Sequence, residues 1–315
     1  MTKNEEAALR VAKRYRRQVD LLEDDAARRL AKRYTEVTAL IIADMKKLEE
    51  KDDRPLIFRF RQVILPGILL KLDRYTKETE RTMLQLSKQT ARLGVDAADA
   101  SARKVAKEQN WKKVDTAGLF TGGIFKAGKE ALDRIPSAIA DRLADLVTQA
   151  QGMAENGLEW LQSHIGDILS GAWSGIQRLV RTVAEQMFRR GQQEQRQQIP
   201  VQQWRRCANY QTACLACIML EGTFYDREED FSDHPNGRCY IVPVEPGSQP
   251  DHAGRDWLEA QDEETQRRIM GKTRYEAWKN GDLSLDQMTN VVPSAEFGPQ
   301  PHVIPLRDLG LTPLK

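Results

Sequence analysis

The sequence predicts a mainly α-helical chain, with long amphipathic helices in the N-terminal half, a small α+β module built on cysteine and histidine, and an extended C-terminal tail. Three observations predict it. Apolar residues recur at spacings of three and four as far as Val183, the period of one helix face. Four cysteines, Cys207, Cys214, Cys217 and Cys239, fall in one short window where the pattern changes to short apolar pieces. From Val291 onward prolines and glycines interrupt a run of scattered aliphatic residues. The corresponding domain expectation is a helical interaction region over 1–150, a module over 151–290 with its Cys/His cluster at 207–239, and a Pro-rich tail over 291–315.

The first helix is marked by Tyr15, Val19, Leu22, Ala26 and Leu30, continuing to Leu48. From Glu5 to Glu50 it would measure about 70 Å at 1.5 Å per residue. Asp52-Asp53-Arg54-Pro55 ends it, since proline cannot continue a helix interior. A second helical stretch follows over about 56–110, with a break or kink at Pro66-Gly67. The glycine-rich Gly118–Gly128 reads as a buried loop or hinge. Helix resumes after Ile135-Pro136-Ser137, and a stripe from Leu161 through Ile165, Ile168, Ala172, Ile176 and Leu179 to Val183 reads as core. Gly191–Gln203 reads as a helix tail and polar connection, followed by strands at Phe224-Tyr225 and Cys239–Val242. Two short helices follow, over about 257–270 and 273–280, each stopped by a glycine, Gly271 and Gly281. The tail beyond Val291 reads as a segment that orders on a partner surface.

Composition narrows the function classes. The 315 residues are 40% hydrophobic and 30% charged, with a net charge of +2, which gives no electrostatic case for a dedicated nucleic-acid binder. Met1–Arg10 is charged and lacks the apolar core of a secretory signal, so a reduced, cytosolic setting is expected. No stretch approaches the roughly 18 apolar residues of a membrane span, so no membrane partner is expected.

The chemistry lies in Cys214-Leu215-Ala216-Cys217 and in Asp233-His234-Pro235-Asn236-Gly237-Arg238-Cys239. A C-x2-C turn places two thiolates on one side of a tight loop, and a His/Cys pair from another loop can complete a tetrahedron. That soft N/S set suits one structural Zn2+ held by Cys214, Cys217, His234 and Cys239, with Cys207 as a substitute ligand. Four reduced thiols without metal, or a disulfide using Cys207, are the alternatives. Catalytic signatures are absent. There is no H-E-x-x-H, H-x-E with P-C-x-x-C, G-x-S-x-G, Walker loop or G-x-G-x-x-G, and nothing marks an oxyanion or orienting group beside a Cys–His pair. The chain is therefore expected not to be an enzyme, with no catalytic and no cofactor-binding residue beyond the metal ligands.

Several weak motifs in order resemble the phage Mu F-like head morphogenesis family. They are Arg181-Thr182-Val183-Ala184-Glu185, Trp204, Asn209–Cys217, Glu221-Gly222-Thr223-Phe224-Tyr225, His234–Cys239 and the helix-Gly-helix ending Gln266–Tyr275. The match spans roughly residues 175–290. It departs at Gly237, where the family has cysteine, and in lacking the family's Asp-x-Arg before the first cysteine of the pair. The resemblance implies a minor head protein acting in procapsid assembly. It places such a protein in the phage head interior, and in the host cytoplasm during assembly. Portal, major capsid and scaffold proteins are the implied partners, and self-association stays open. The alternative is a zinc-bearing protein that touches packaged DNA through Arg189-Arg190, Arg205-Arg206 and Arg267-Arg268.

Overall fold

Helix α1, Lys3–Lys46, buries the face that its apolar spacing marks: Val19, Ala26, Leu30, Ile41 and Met45. This is a computed structural model, and it describes residues 1–49, 53–121, 123–153, 156–229, 231, 233–234, 237–293 and 300–314, the side chains of Phe120 and Thr121 apart. Glu50, Asp52, Gly122, Pro235, Asn236, residues 294–299 of the tail and Lys315 therefore lie outside the described residues. The architecture is mainly helical. α2 (Leu56–Arg59), a π turn (Phe60–Ile64) and α3 (Leu65–Val105) form the second helical stretch. Its irregularity sits just before Pro66 and not at Pro66-Gly67, and the helix ends at Val105 rather than near 110. Pro66 has no N–H for an i−4 carbonyl and its ring crowds that carbonyl, so the preceding turn widens and the Leu65 N–H bonds to the Phe60 carbonyl.

The glycine-rich segment is helical, not a loop: a 3-10 turn over Thr116–Thr121 leads into α4, Gly123–Asp133. Gly128 is buried in α4, where a Cβ would come 2.6 Å from Val183 Cγ2, so glycine serves close packing here. α5 is Ile135–Gln151, with Pro136 at its first turn, where a missing N–H costs nothing. α6 runs from Gly157 to Gln198 and absorbs the Gln-rich segment, whose Gln192, Gln193 and Gln195 are buried. Gln195 is satisfied there: its Oε1 accepts from the Val114 N–H at 2.7 Å and its Nε2 donates to the Lys112 carbonyl at 3.2 Å.

The chain divides into two units, one of Met1–Val19, Thr90–Leu119 and Glu185–Lys315, the other of Asp20–Gln89 and Phe120–Ala184. The boundaries between these units fall inside α1, α3 and α6. A helix of some forty residues is about 60 Å long and can supply side chains to two cores. The second unit's core joins Ile41, Met45 and Leu48 to Phe60, Ile64, Ile68 and Leu72, and to Leu143, Val147, Leu161 and Ile165. Each such side chain contributes about 2 kcal/mol by leaving water.

In the first unit α3 and α6 cross at glycines. A Cβ on Gly94 would overlap the Phe188 carbonyl, and one on Gly191 would overlap the Ala91 carbonyl. The unit holds an antiparallel sheet in the order β2-β1-β3, formed by β1 (Gln203–Cys207), β2 (Phe224–Asp226) and β3 (Tyr240–Pro243). Trp204 faces Tyr225 and Pro243 across it, and Cys207 faces Tyr240. Beyond the sheet come α7 (Leu215–Met219), α8 (Ala253–Glu259), α9 (Glu263–Met270) and α10 (Lys272–Lys279). The helix expected over 257–270 is broken before Asp262, whose carboxylate caps α9 by accepting from the Thr265 N–H at 2.7 Å.

The tail is extended but folds onto its own chain. β5 (Gln300–Val303) pairs with β4 (Thr289–Val292), the Ile304 N–H bonds to the Met288 carbonyl at 2.9 Å, and Leu309 and Leu311 pack on a core of Leu215, Ile218, Leu258 and Met288. Val303, Leu309 and Leu311 thus have an intramolecular surface, while Val291, Val292 and Leu314 stay exposed.

The N-terminus is tied down as well. The Glu5 carboxylate accepts from the Thr2 N–H at 2.8 Å, the Glu245 N–H at 3.0 Å and the Ser248 hydroxyl. Burial pushes its pKa up, but these bonds outweigh burial and hold it below the usual glutamate value. A depressed carboxylate stabilises the fold above its unfolded pKa and loses that contribution as pH falls through the folded one. Glu5→Gln is expected to cost about 1–2 kcal/mol at neutral pH in urea unfolding, with the gap to wild type closing as pH falls through the acid range. A loss independent of pH would contradict this role.

Candidate metal centre

The centre is assembled from three short pieces of the first unit. β1 ends at Cys207, and the Asn209 carbonyl then accepts from the Thr212 N–H at 2.9 Å and the Ala213 N–H at 2.7 Å, turning the chain sharply into α7. Cys214 caps α7 in an extended conformation, and Cys217 follows one turn later, so both thiols project from the same end of the helix. The loop that carries Asp233, His234, Gly237 and Cys239 closes over them before β3 begins at Tyr240.

His234 Nε2 stands 3.2 Å from Cys214 Sγ and 3.2 Å from Cys217 Sγ. The ligand atoms of these residues all lie within 4.8 Å of one another; Cys217, Asp233 and Cys239 form a second such group, sharing Cys217 with the first. Ligand atoms around one tetrahedral zinc are about 3.5 Å apart, so Cys214, Cys217 and His234 fit a metal ion in chemistry and in spacing, while Cys239 falls in the group with Cys217 and Asp233 and is not brought within that reach of both Cys214 and His234. Cys207 is placed apart: it packs with Ala12, Val19, Phe188 and Val242, with its Sγ 3.9 Å from the Arg205 carbonyl. All four cysteines are free thiols.

Sequence reading missed the polar core behind the thiols. Asp233 is fully buried and takes the Cys239 N–H at 3.1 Å on Oδ2 and the His234 N–H at 3.0 Å on Oδ1. Arg206 Nη2 lies 3.0 Å from Oδ1, and Arg189 Nη2 lies 3.6 Å from Oδ2 while also donating to the Gly237 carbonyl. Burial alone would protonate Asp233, but Arg206 and Arg189 hold it far below the usual carboxylate range. Burial works likewise against the charge on Arg206, and Cys239, Asp233 and Cys217 hold its proton in place. The signal that could have found Asp233 is its position immediately before the ligand-type His234.

The thiols differ in proton affinity. Cys214 is lowered to about 4 by hydrogen bonding from Cys217 and by His234, against the opposing effect of burial. Cys217 is pushed up by sharing hydrogen bonds with Cys214 and Cys239, and by burial. Burial raises Cys207, which suits a packing role.

A Cβ on Gly237 would overlap the Asp233 carboxyl group, so glycine and the buried carboxylate occupy one space between them. The arginines that suggested a DNA contact are mostly engaged elsewhere. Arg189 and Arg206 face Asp233, buried Arg205 holds Asp251 at 2.5 and 2.7 Å, and Arg267 pairs with Glu263 at 2.8 Å and Glu276 at 2.7 Å. Among the described residues no helix is long and apolar enough to cross a membrane. No family model matches the chain, and no curated protein or solved structure matches it.

Proposed function

We propose that the chain is a minor structural protein of a phage head, of the Mu F-like type, that acts in procapsid assembly beside the portal and carries one structural zinc ion. The observation that supports this reading is convergence. Of the residues that carry the resemblance, those between Trp204 and Cys239 come together: Trp204, Cys217 and Cys239 share one core, with Cys214 and Tyr225 packed against it. Of the remaining motif residues, Glu185 lies in the same unit in a buried pair with Arg16.

In this reading Cys214, Cys217, His234 and Cys239 hold the ion. Zinc would supply a crosslink between α7, the loop at His234 and the start of β3, in a sheet too small to hold its loops alone. Asp233 keeps the backbone of His234 and Cys239 in place, and Arg206 and Arg189 keep its carboxylate turned toward themselves.

Elemental analysis of the full chain, purified without chelator, should find about one zinc per chain, falling to below about one tenth in Cys217→Ser. Assembly is tested by producing the chain with the portal and capsid proteins encoded beside it and isolating the procapsids. Recovery of the chain in particles together with the portal supports the reading. Particles that form normally and exclude it overturn the reading.

A further inference from the structure

The four cysteines differ in access. Cys207, Cys217 and Cys239 are 2%, 1% and 1% exposed, whereas Cys214 is half-buried. His234 beside it keeps 27% of its side chain exposed, so the cluster meets water on the side of these two residues.

The thiol within reach of Cys214 is Cys217. Cys214 caps α7 and Cys217 lies one turn later, with both sulfurs 3.2 Å from His234 Nε2 and all three ligand atoms within 4.8 Å of one another. Residues three apart in a helical turn have Cα atoms about 5 Å apart, inside the range of roughly 4.4–6.8 Å that a disulfide spans. Closing a bond between them therefore needs side-chain rotation and little backbone movement. Cys239 lies near Cys217 and Asp233, outside the group of Cys214, Cys217 and His234, and its N–H is fixed on the Asp233 carboxylate at 3.1 Å. Cys207 packs in a different cluster, with Phe188 and Val242. An oxidisable thiol is open to solvent and has a second thiol poised beside it, and the Cys214–Cys217 pair meets both conditions.

We propose that Cys214 and Cys217 form a reversible oxidation site for hydroperoxides. The Cys214 sulfur attacks one peroxide oxygen, the O–O bond breaks, and a sulfenic acid forms on Cys214 as hydroxide leaves. The Cys217 sulfur then attacks the Cys214 sulfur and expels the second hydroxide. Two thiolates give two electrons to the peroxide, and one disulfide and two hydroxides (water once protonated) result. A thiol reductant reopens the bond by exchange. The disulfide removes two sulfurs from the donor set, so its closure releases the ion; this release rests on the zinc reading, and the disulfide itself does not. A reducing cell interior would hold the site open, and oxidising surroundings would close it.

The test treats the full chain, purified without chelator, with hydrogen peroxide and quenches it with N-ethylmaleimide. Trypsin releases Cys207, Cys214 and Cys217 together in residues 207–227, and Cys239 apart in residues 239–255. The expected product is the first peptide with an internal disulfide between Cys214 and Cys217 and maleimide on Cys207, while Cys239 is still alkylated. Zinc, followed with a chelating dye, should leave in step with the disulfide, about one ion per bond, and dithiothreitol should restore the open form. Cys217→Ser should lose the disulfide and leave Cys214 as a sulfenic acid that dimedone traps, and Cys207→Ser should match wild type. Should Cys217→Ser fail to fold, the wild-type peptide map decides. A cross-link between the two peptides, first oxidation at Cys207 or Cys239, or thiols that persist while methionines oxidise overturns the proposal. An untreated chain without zinc overturns the metal reading, and the peptide map still decides the disulfide.

Discussion

Replacing Asp233 by alanine is expected to cost about 3–5 kcal/mol in urea unfolding, the range for removing one partner of a buried ion pair. Arg206 is buried with its guanidinium 3.0 Å from the Asp233 carboxylate, and Arg189 lies close by. Without the carboxylate, both cations stay in a site from which water is excluded. The Cys239 and His234 N–H groups also lose their acceptor, each worth about 1 kcal/mol or more when left unsatisfied. Asp233→Asn keeps the shape and part of the hydrogen bonding, so it should fall between alanine and wild type. Asp233→Ala with Arg206→Met should recover a substantial part of the loss, since the double change removes one uncompensated charge. A cost under about 1 kcal/mol for alanine would show that water reaches the arginines.

Alanine at Gly94 or Gly191 should destabilise by about 2–3 kcal/mol, and the pair by more, although alanine is the better helix former by about 1 kcal/mol. Each new methyl would run into a main-chain carbonyl of the facing helix, and a carbonyl inside a helix cannot swing aside as a flexible side chain can. The control lies in α6 itself. Nothing lies within 4 Å of a Cβ built on Gly171, so Gly171→Ala should stabilise, by up to about 1 kcal/mol. Opposite signs for the same substitution in one helix would isolate the crossing as the cause. Thermal unfolding followed at 222 nm reads both; a gain at Gly94 or Gly191 would mean the helices separate at little cost.

Periodicity made the long helices legible, because a stripe such as Val19, Ala26, Leu30 and Ile41 is buried by position and needs no knowledge of its neighbour. What periodicity could not show was where one core ends and the next begins, since α1, α3 and α6 continue through the boundaries without a break in pattern. β1 escaped notice because Gln203-Trp204-Arg205-Arg206-Cys207 reads as polar; its arginines are buried only because Asp251 and Asp233 meet them from sequence-distant loops. The glycine-rich stretch misled for the opposite reason. Glycine weakens a helix locally, but at Gly128 the absence of a side chain is what lets Val183 approach. The thiol–imidazole cluster was visible from spacing. Its supporting aspartate was not, because an aspartate in sequence is read as solvated until a cation is found beside it.

The first unit draws on the first nineteen residues and on everything after Ala184, and Glu5 closes a contact with Glu245 and Ser248 across some 240 positions. A ribosome emits the chain from its N-terminus, so Glu5 must wait for Glu245 and Ser248 to emerge before its contact can close. The second unit is complete once Ala184 is out. The stretch that makes up the second unit therefore emerges before the residues that complete the contact of Glu5. Closing so long a loop adds only modest entropy over a short one, but contacts this distant in sequence form slowly. Shortening the chain before Glu245 would strip Glu5 of its Glu245 and Ser248 partners, however well the helices between had formed.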